Sequence, residues 1–114
     1  MENFRKEDVG TTIGNFIQKN HKDRKLVEQP DRGFAIKEIP SIAIEEKSLK
    51  ELGERWTFEG TAVIRKTDAR NTVSTKSNCK IVGSAVVAFN RNDRNKNELL
   101  PEIENVTITK IEEL

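Results

Sequence analysis

Two segments alternate between apolar and polar residues with a period of two. In "RWTFEGTAVIRK" Trp56, Phe58, Ala62 and Ile64 share one parity, and in "CKIVGSAVVAF" Cys79, Ile81, Ala85, Val87 and Phe89 share the other. Alternation puts successive side chains on opposite faces of a strand, so each segment predicts a strand with one face in a core. "FEGTAVI" also returns as "IVGSAVV", with a glycine in the same place. Joining an even apolar face to an odd one predicts an antiparallel hairpin, and a two-residue turn at Asn71-Thr72 would set Gly60 opposite Gly83. Two facing glycines would strip side chains from one point of the core face, letting long strands bend and another element approach the backbone.

Upstream, Val9, Ile13, Phe16 and Ile17 recur at the spacing of one helical face, predicting an amphipathic helix from Asp8, as cap, to about Glu28. Gly10 and Gly14 each cost this helix about 1 kcal/mol relative to alanine unless a backbone must come close, and the paired strand glycines are the expected neighbours. "GFAIKEIPSIAIEE" alternates through Phe34, Ile36, Ile42 and Ile44 but is interrupted by Pro40, which predicts a broken edge strand. In "SLKELG", Ser48 and Glu51 stand at capping-box spacing before Gly53, which predicts a short helical turn. "NRNDRNKNELLPE" is a polar connection, and "IENVTITKIEEL" a last strand with Val106 and Ile108 on one parity. The expected fold is a single α+β domain over residues 1–114: an N-terminal amphipathic helix packed on a curved antiparallel sheet of about four strands.

Composition sharpens this picture. Hydrophobic and charged residues each make up 34% of the 114 residues, which suits a thin core under a highly charged surface. The net charge of +1 excludes the strong global field of a bulk nucleic-acid or membrane binder. Charge is nonetheless uneven, with Arg65, Lys66, Arg70, Lys76 and Lys80 at the hairpin tip and Glu98, Glu102, Glu104, Glu112 and Glu113 towards the C-terminus. The single cysteine, Cys79, allows no internal disulfide and reads as a small buried hydrophobe. No run approaches the roughly 18 apolar residues that span a bilayer, and "MENFRKEDVG" lacks a signal-peptide core, so no membrane partner and a cytoplasmic location are expected.

Motifs for chemistry are weak. Asp93, Asn95, Asn97 and Glu104 match positions of a calcium-binding loop, but Glu98 stands where the tight turn needs glycine and both flanks read as strands. Ser77 and Lys80 match Ser-x-x-Lys on a strand, where the two side chains point oppositely. His21, the only histidine, sits in a charged helix end, so no nucleophile–base pair is supported. One cysteine and one histidine make no structural zinc site, and no cofactor motif occurs. Asn105-Val106-Thr107 is a glycosylation sequon, relevant only to a secreted chain.

Two surfaces stand out instead. The second face of the hairpin is half apolar, with Thr61, Val63, Val82, Val86 and Ala88 as interface candidates, which suggests a homodimer or another protein partner. A β-branched face tolerated in water is the rival explanation. The basic tip, Arg65, Lys66, Arg70, Lys76 and Lys80, offers phosphate contacts without stacking aromatics.

The element order, with Gly60 and Gly83 in "FEGTAVI" and "IVGSAVV", resembles the cystatin-like and nuclear-transport-factor-2-like group of folds. "CKIVG" departs from the cystatin Gln-x-Val-x-Gly loop at Lys80, and a chain without tyrosine departs from the isomerase members of the second group. The resemblance implies a scaffold for dimerisation and for ligand or protein binding. Three readings follow, in order: a non-enzymatic interaction or ligand-binding module, dimerising through its half-apolar sheet face; a nucleic-acid-binding domain using the basic tip; and a small pocket enzyme of the isomerase type.

Overall fold

A computed structural model describes residues 6–22, 26–27, 34–68, 74–91 and 99–114. The chain forms helix α1 (Lys6–Lys19) and strands β1 (Phe34–Ile44), β2 (Lys50–Leu52), β3 (Arg55–Asp68), β4 (Ser74–Arg91) and β5 (Leu99–Glu113), with a 3-10 turn at Glu46–Ser48. All strand pairs are antiparallel, in the order β1-β3-β4-β5, and short β2 pairs with β3 beyond the end of β1. The result is the expected α+β arrangement, with a fifth short strand.

The helical stripe lies where its spacing puts it: Val9, Ile13 and Ile17 are fully buried and Phe16 packs at their edge. Glu7 and Asp8 occupy the first turn, where carboxylates favour the helix dipole, so Asp8 lies inside the helix and is not its cap. The helix is also shorter than its sequence suggests, ending at Lys19. Beyond it Asn20 returns both its backbone and its side-chain N–H to the Phe16 carbonyl, and a separate turn sets Leu26 in the core and bridges Val27 to Ile108.

The helix packs chiefly against β1 and β5, the two outer strands, as it does when a sheet curls around it. Trp56, Phe58, Ala62, Ile64, Cys79, Ile81, Ala85 and Val87 fill the space between, with Trp56 edge-on to Phe89 at 6.3 Å between ring centres. Both expected strand faces are therefore the core faces.

The register differs from the expected one by two residues. Gly60 pairs with Ile81 and Gly83 with Phe58, so the glycines are not opposite each other. The slip keeps parity, which is why every side chain stays on its expected face. The Asn71-Thr72 turn lies outside the described residues. Each glycine instead accommodates a neighbouring strand and not the helix: a side chain on Gly60 would strike the Ala43 carbonyl of β1, and one on Gly83 the Thr107 carbonyl of β5. The Phe58 ring closes over Gly83, 2.9 Å from where a Cβ would stand. Helix residues Gly10 and Gly14 approach Ile44 and Ile42 of β1.

β1 is the broken edge strand expected, with register shifts on either side of Glu38 near Pro40. The segment from Ser48 to Gly53 holds a surprise. After the 3-10 turn the chain enters β2, and Gly53, at φ +65°, is the first residue of the tight turn from β2 to β3. Ser48 caps the ladder, not a helix. Its hydroxyl accepts the Glu59 N–H at 2.8 Å and donates to the Glu45 carbonyl at 2.6 Å, bridging the gap between β1 and β2. Among the described residues no helix is long and apolar enough to cross a membrane.

Candidate functional site

Pairing across β3, β4 and β5 lays out the outer face row by row. Moving along β4, the rows are Arg55–Val86–Asn105, Thr57–Ser84–Thr107, Glu59–Val82–Lys110 and Thr61–Lys80–Glu112. Val63 stands beside Asn78 and Ala88 beside Glu102. Of the five interface candidates, Val63, Val82, Val86 and Ala88 are half-buried and Thr61 is exposed. They form no continuous apolar patch, because each is flanked by polar or charged side chains on neighbouring strands. What the register makes is a line of small apolar and hydroxyl side chains along β4, with opposite charges on either side of Val82.

Those charges are organised further. Lys110 Nζ lies 2.8 Å from Glu112 Oε1. That hydrogen bond and attraction raise the Lys110 ammonium, helped by Glu59, and hold the Glu112 carboxyl below its ordinary value, helped by Lys80. Arg55 donates to the Ser84 hydroxyl at 3.1 Å, and the Thr109 hydroxyl to the Val82 carbonyl at 3.1 Å. A shallow depression of about 460 Å³ opens on the same face between Lys47, Lys50, Glu59 and Val82.

The basic tip is less basic in space than in sequence. Arg65 Nε lies 2.9 Å from Glu38 Oε1 of β1, out of line with its N–H, so proximity of charge and not an aligned hydrogen bond holds the pair. Lys66, whose side chain is only 12% exposed, reaches across β4 to Glu113 Oε1 at 3.0 Å, where the Ser77 hydroxyl also donates at 3.1 Å. Both donors, Lys66 first, hold the Glu113 carboxyl below its usual value. Lys80 pairs with Glu112 across strands, while Lys76 stands exposed opposite Arg65. Arg70 lies outside the described residues.

Cys79 is buried, and desolvation pushes its thiol up; Glu113 adds to this and Lys66 opposes it. Its environment suits packing and not nucleophilic attack. His21 caps the helix end, its Nδ1 2.9 Å from the Gln18 carbonyl. Asp93, Asn95, Asn97 and Glu98 of the calcium-like loop lie outside the described residues, and Glu104 is exposed on β5. Among the described residues no three of His, Cys, Asp and Glu gather as a metal site.

A second concavity, missed by sequence reasoning, lies between α1 and β1. It measures about 360 Å³; Gly10 and Gly14 are on its helix side, Ile42 and Ile44 on its strand side, and Glu7 and Glu46 are its charged residues among those described. Its only sequence signal is the small-residue step in α1, whose neighbours Glu7, Thr11 and Gln18 continue one polar side of the helix. Comparison of the chain with protein families, curated proteins and solved structures finds no match.

Proposed function

We propose that this chain is a small interaction module without catalytic activity that forms a homodimer through the outer face of its sheet. The row Glu59–Val82–Lys110 carries this reading, because it is self-complementary. A second copy turned about an axis along β4 brings its β5 over β3 of the first. Val82 then lies over Val82 and Val86 over Val86 of the mate, while Glu59 meets Lys110 at both edges. Thr61 faces Glu112, and the two Lys80 ammoniums are flanked by the Glu112 carboxylates of both copies. Such a pairing is isologous, as closed dimers require, and covers the valines that a solvated face would leave half exposed.

The cystatin-like and nuclear-transport-factor-2-like resemblance agrees with a scaffold used for association. Nucleic-acid binding through Arg65, Lys66, Arg70, Lys76 and Lys80 has less support, since Arg65, Lys66 and Lys80 already face carboxylates. The pocket-enzyme reading has less still, because Trp56, Phe58, Ile13 and Ile17 fill the space between helix and sheet.

Light scattering at micromolar concentration tests the dimer. Wild-type protein is expected at twice the chain mass. Val82→Glu or Val86→Glu should weaken association by about 3 kcal/mol, roughly a hundredfold, by burying an unpaired carboxylate. Glu59→Lys should also weaken it, and Glu59→Lys combined with Lys110→Glu should restore it. A wild-type monomer at high micromolar concentration, or a double reversal no better than the single one, overturns the reading.

A further inference from the structure

The free edge of β1 and the groove beside it form a second surface, separate from the outer face. In an antiparallel ladder, alternate residues turn their N–H and C=O groups towards the partner strand and the rest turn theirs away. The Glu45 N–H donates to the Glu59 carbonyl at 2.9 Å, which sets the phase. Pairing runs without a shift from Ser41 to Ile44, so Ser41 and Ala43 turn inward to β3, whereas Ile42 and Ile44 turn their backbone groups outward. The Ala43 carbonyl aimed beneath Gly60 agrees with this phase.

Among the described residues, other stretches of the sheet edges are interrupted. Around Pro40 the register breaks, and the Gln18 side chain donates to the Ile39 carbonyl at 3.1 Å, taking the place of a neighbouring strand. On the opposite edge Val27 bridges Ile108, and shifts in register interrupt β5 at two places. Bulges, proline and covering segments are the devices by which proteins blunt sheet edges. Among the described residues, the short stretch at Ile42–Ile44 has none of these and opens into the groove of about 360 Å³. Gly10 and Gly14 keep the helix side of that groove low, and its ionisable lining residues among those described, Glu7 and Glu46, are both carboxylates.

We propose that this edge binds an extended peptide segment carrying a basic residue. The segment adds as a short strand, exchanging hydrogen bonds with the outward N–H and C=O groups of Ile42 and Ile44. One of its side chains enters the groove over Gly10 and Gly14, and a lysine or arginine lies between Glu7 and Glu46. Strand addition draws affinity from the backbone and selectivity from alternate side chains, so the sign of the partner's charge is the discriminating feature. Because so few ladder positions are open, affinity is modest, on the order of tens of micromolar.

The test uses the full chain and a fluorescein-labelled six-residue peptide of alternating valine and lysine, read by anisotropy and by amide shifts. Saturable binding is expected, with the Ile42 and Ile44 amides shifted and slowed in hydrogen exchange. Replacing the peptide's lysines by glutamates, or methylating alternate backbone nitrogens, should weaken binding at least tenfold. Glu7→Lys with Glu46→Lys should reverse the preference to the glutamate peptide; both residues are exposed, so circular dichroism should show an unchanged fold. Binding indifferent to backbone methylation, or shifts confined to other strands, overturns the proposal. So does concentration-dependent protection of the Ile42 and Ile44 amides without peptide, which would assign the edge to a second copy. The outer-face variant Val82→Glu should bind the peptide normally, which separates this result from the fate of the dimer.

Discussion

At the scale of single residues, Gly10 and the strand glycines Gly60 and Gly83 belong to two physical classes that look alike in the sequence. Gly60 and Gly83 are required by close backbone approach, since a Cβ at either would collide with a carbonyl oxygen of the next strand. Gly10 is different: a Cβ there would meet Ile44 and Leu49 at 3.6 Å, an ordinary contact distance. Opposite outcomes are expected in urea unfolding. Gly83→Ala should lose about 1–3 kcal/mol, through strain against the Thr107 carbonyl and the Phe58 ring. Gly10→Ala should hold or gain stability, by up to about 1 kcal/mol, through helix propensity. A stable Gly83→Ala protein would contradict the close packing of β4 on β5. That a backbone comes close at the strand glycines was legible in the hairpin. Which backbone they admit was not, because it depends on β1 and β5, strands far away in sequence.

At the scale of elements, legibility follows the regularity of the ladder. β3 and β4 pair without a register shift, and their alternation alone identifies both core faces. β5 is harder to read because its bulges reverse parity: Ile103 and Ile111 are odd, Val106 and Ile108 even, yet all belong to the core or pack against it. β1 repeats the problem around Pro40, where Ile39 is buried and Ile36, Ile42 and Ile44 pack at the edge of the core. The two-residue slip of the hairpin register was equally invisible, since parity cannot distinguish registers two apart.

Folding also joins charges that the sequence keeps apart, and the end of β5 shows the consequence. Glu113 gathers Lys66 and the Ser77 hydroxyl, and the Leu114 N–H donates to the Asn78 carbonyl at 2.9 Å. A carboxylate whose folded pKa is depressed stabilises the fold above its unfolded pKa, and that stabilisation is lost as pH falls through the folded value. Hydrogen exchange at Leu114 should therefore quicken on acidification below the ordinary carboxylate range, once corrected for intrinsic rates. Glu113→Gln should show fast exchange already at neutral pH. An identical pH response in wild type and Glu113→Gln would remove Glu113 from this role.

At the scale of the whole molecule, an uneven charge distribution read as a basic tip and an acidic edge becomes a set of cross-strand pairs. Glu38, Glu112 and Glu113 arrive beside Arg65, Lys80 and Lys66 because β1 and β5 flank the central hairpin. The candidate interface was half legible: alternation puts Val82 and Val86 on the outer face, but the charges on either side of Val82 come from a register and a bulge that no local pattern specifies. The groove beside β1 was not legible, since it needs the placement of α1 against an edge strand.

The self-complementary row at Val82 is the claim on which the account depends, and a zero-length cross-link tests it most directly. Carbodiimide joins a lysine amine to a carboxylate only when they touch, and an equal mixture of light and nitrogen-15 protein marks links made between copies. The account predicts Glu59–Lys110 peptides pairing one light and one heavy half. Same-isotope Glu59–Lys110 links alone, or no such link while other lysines react, would contradict it.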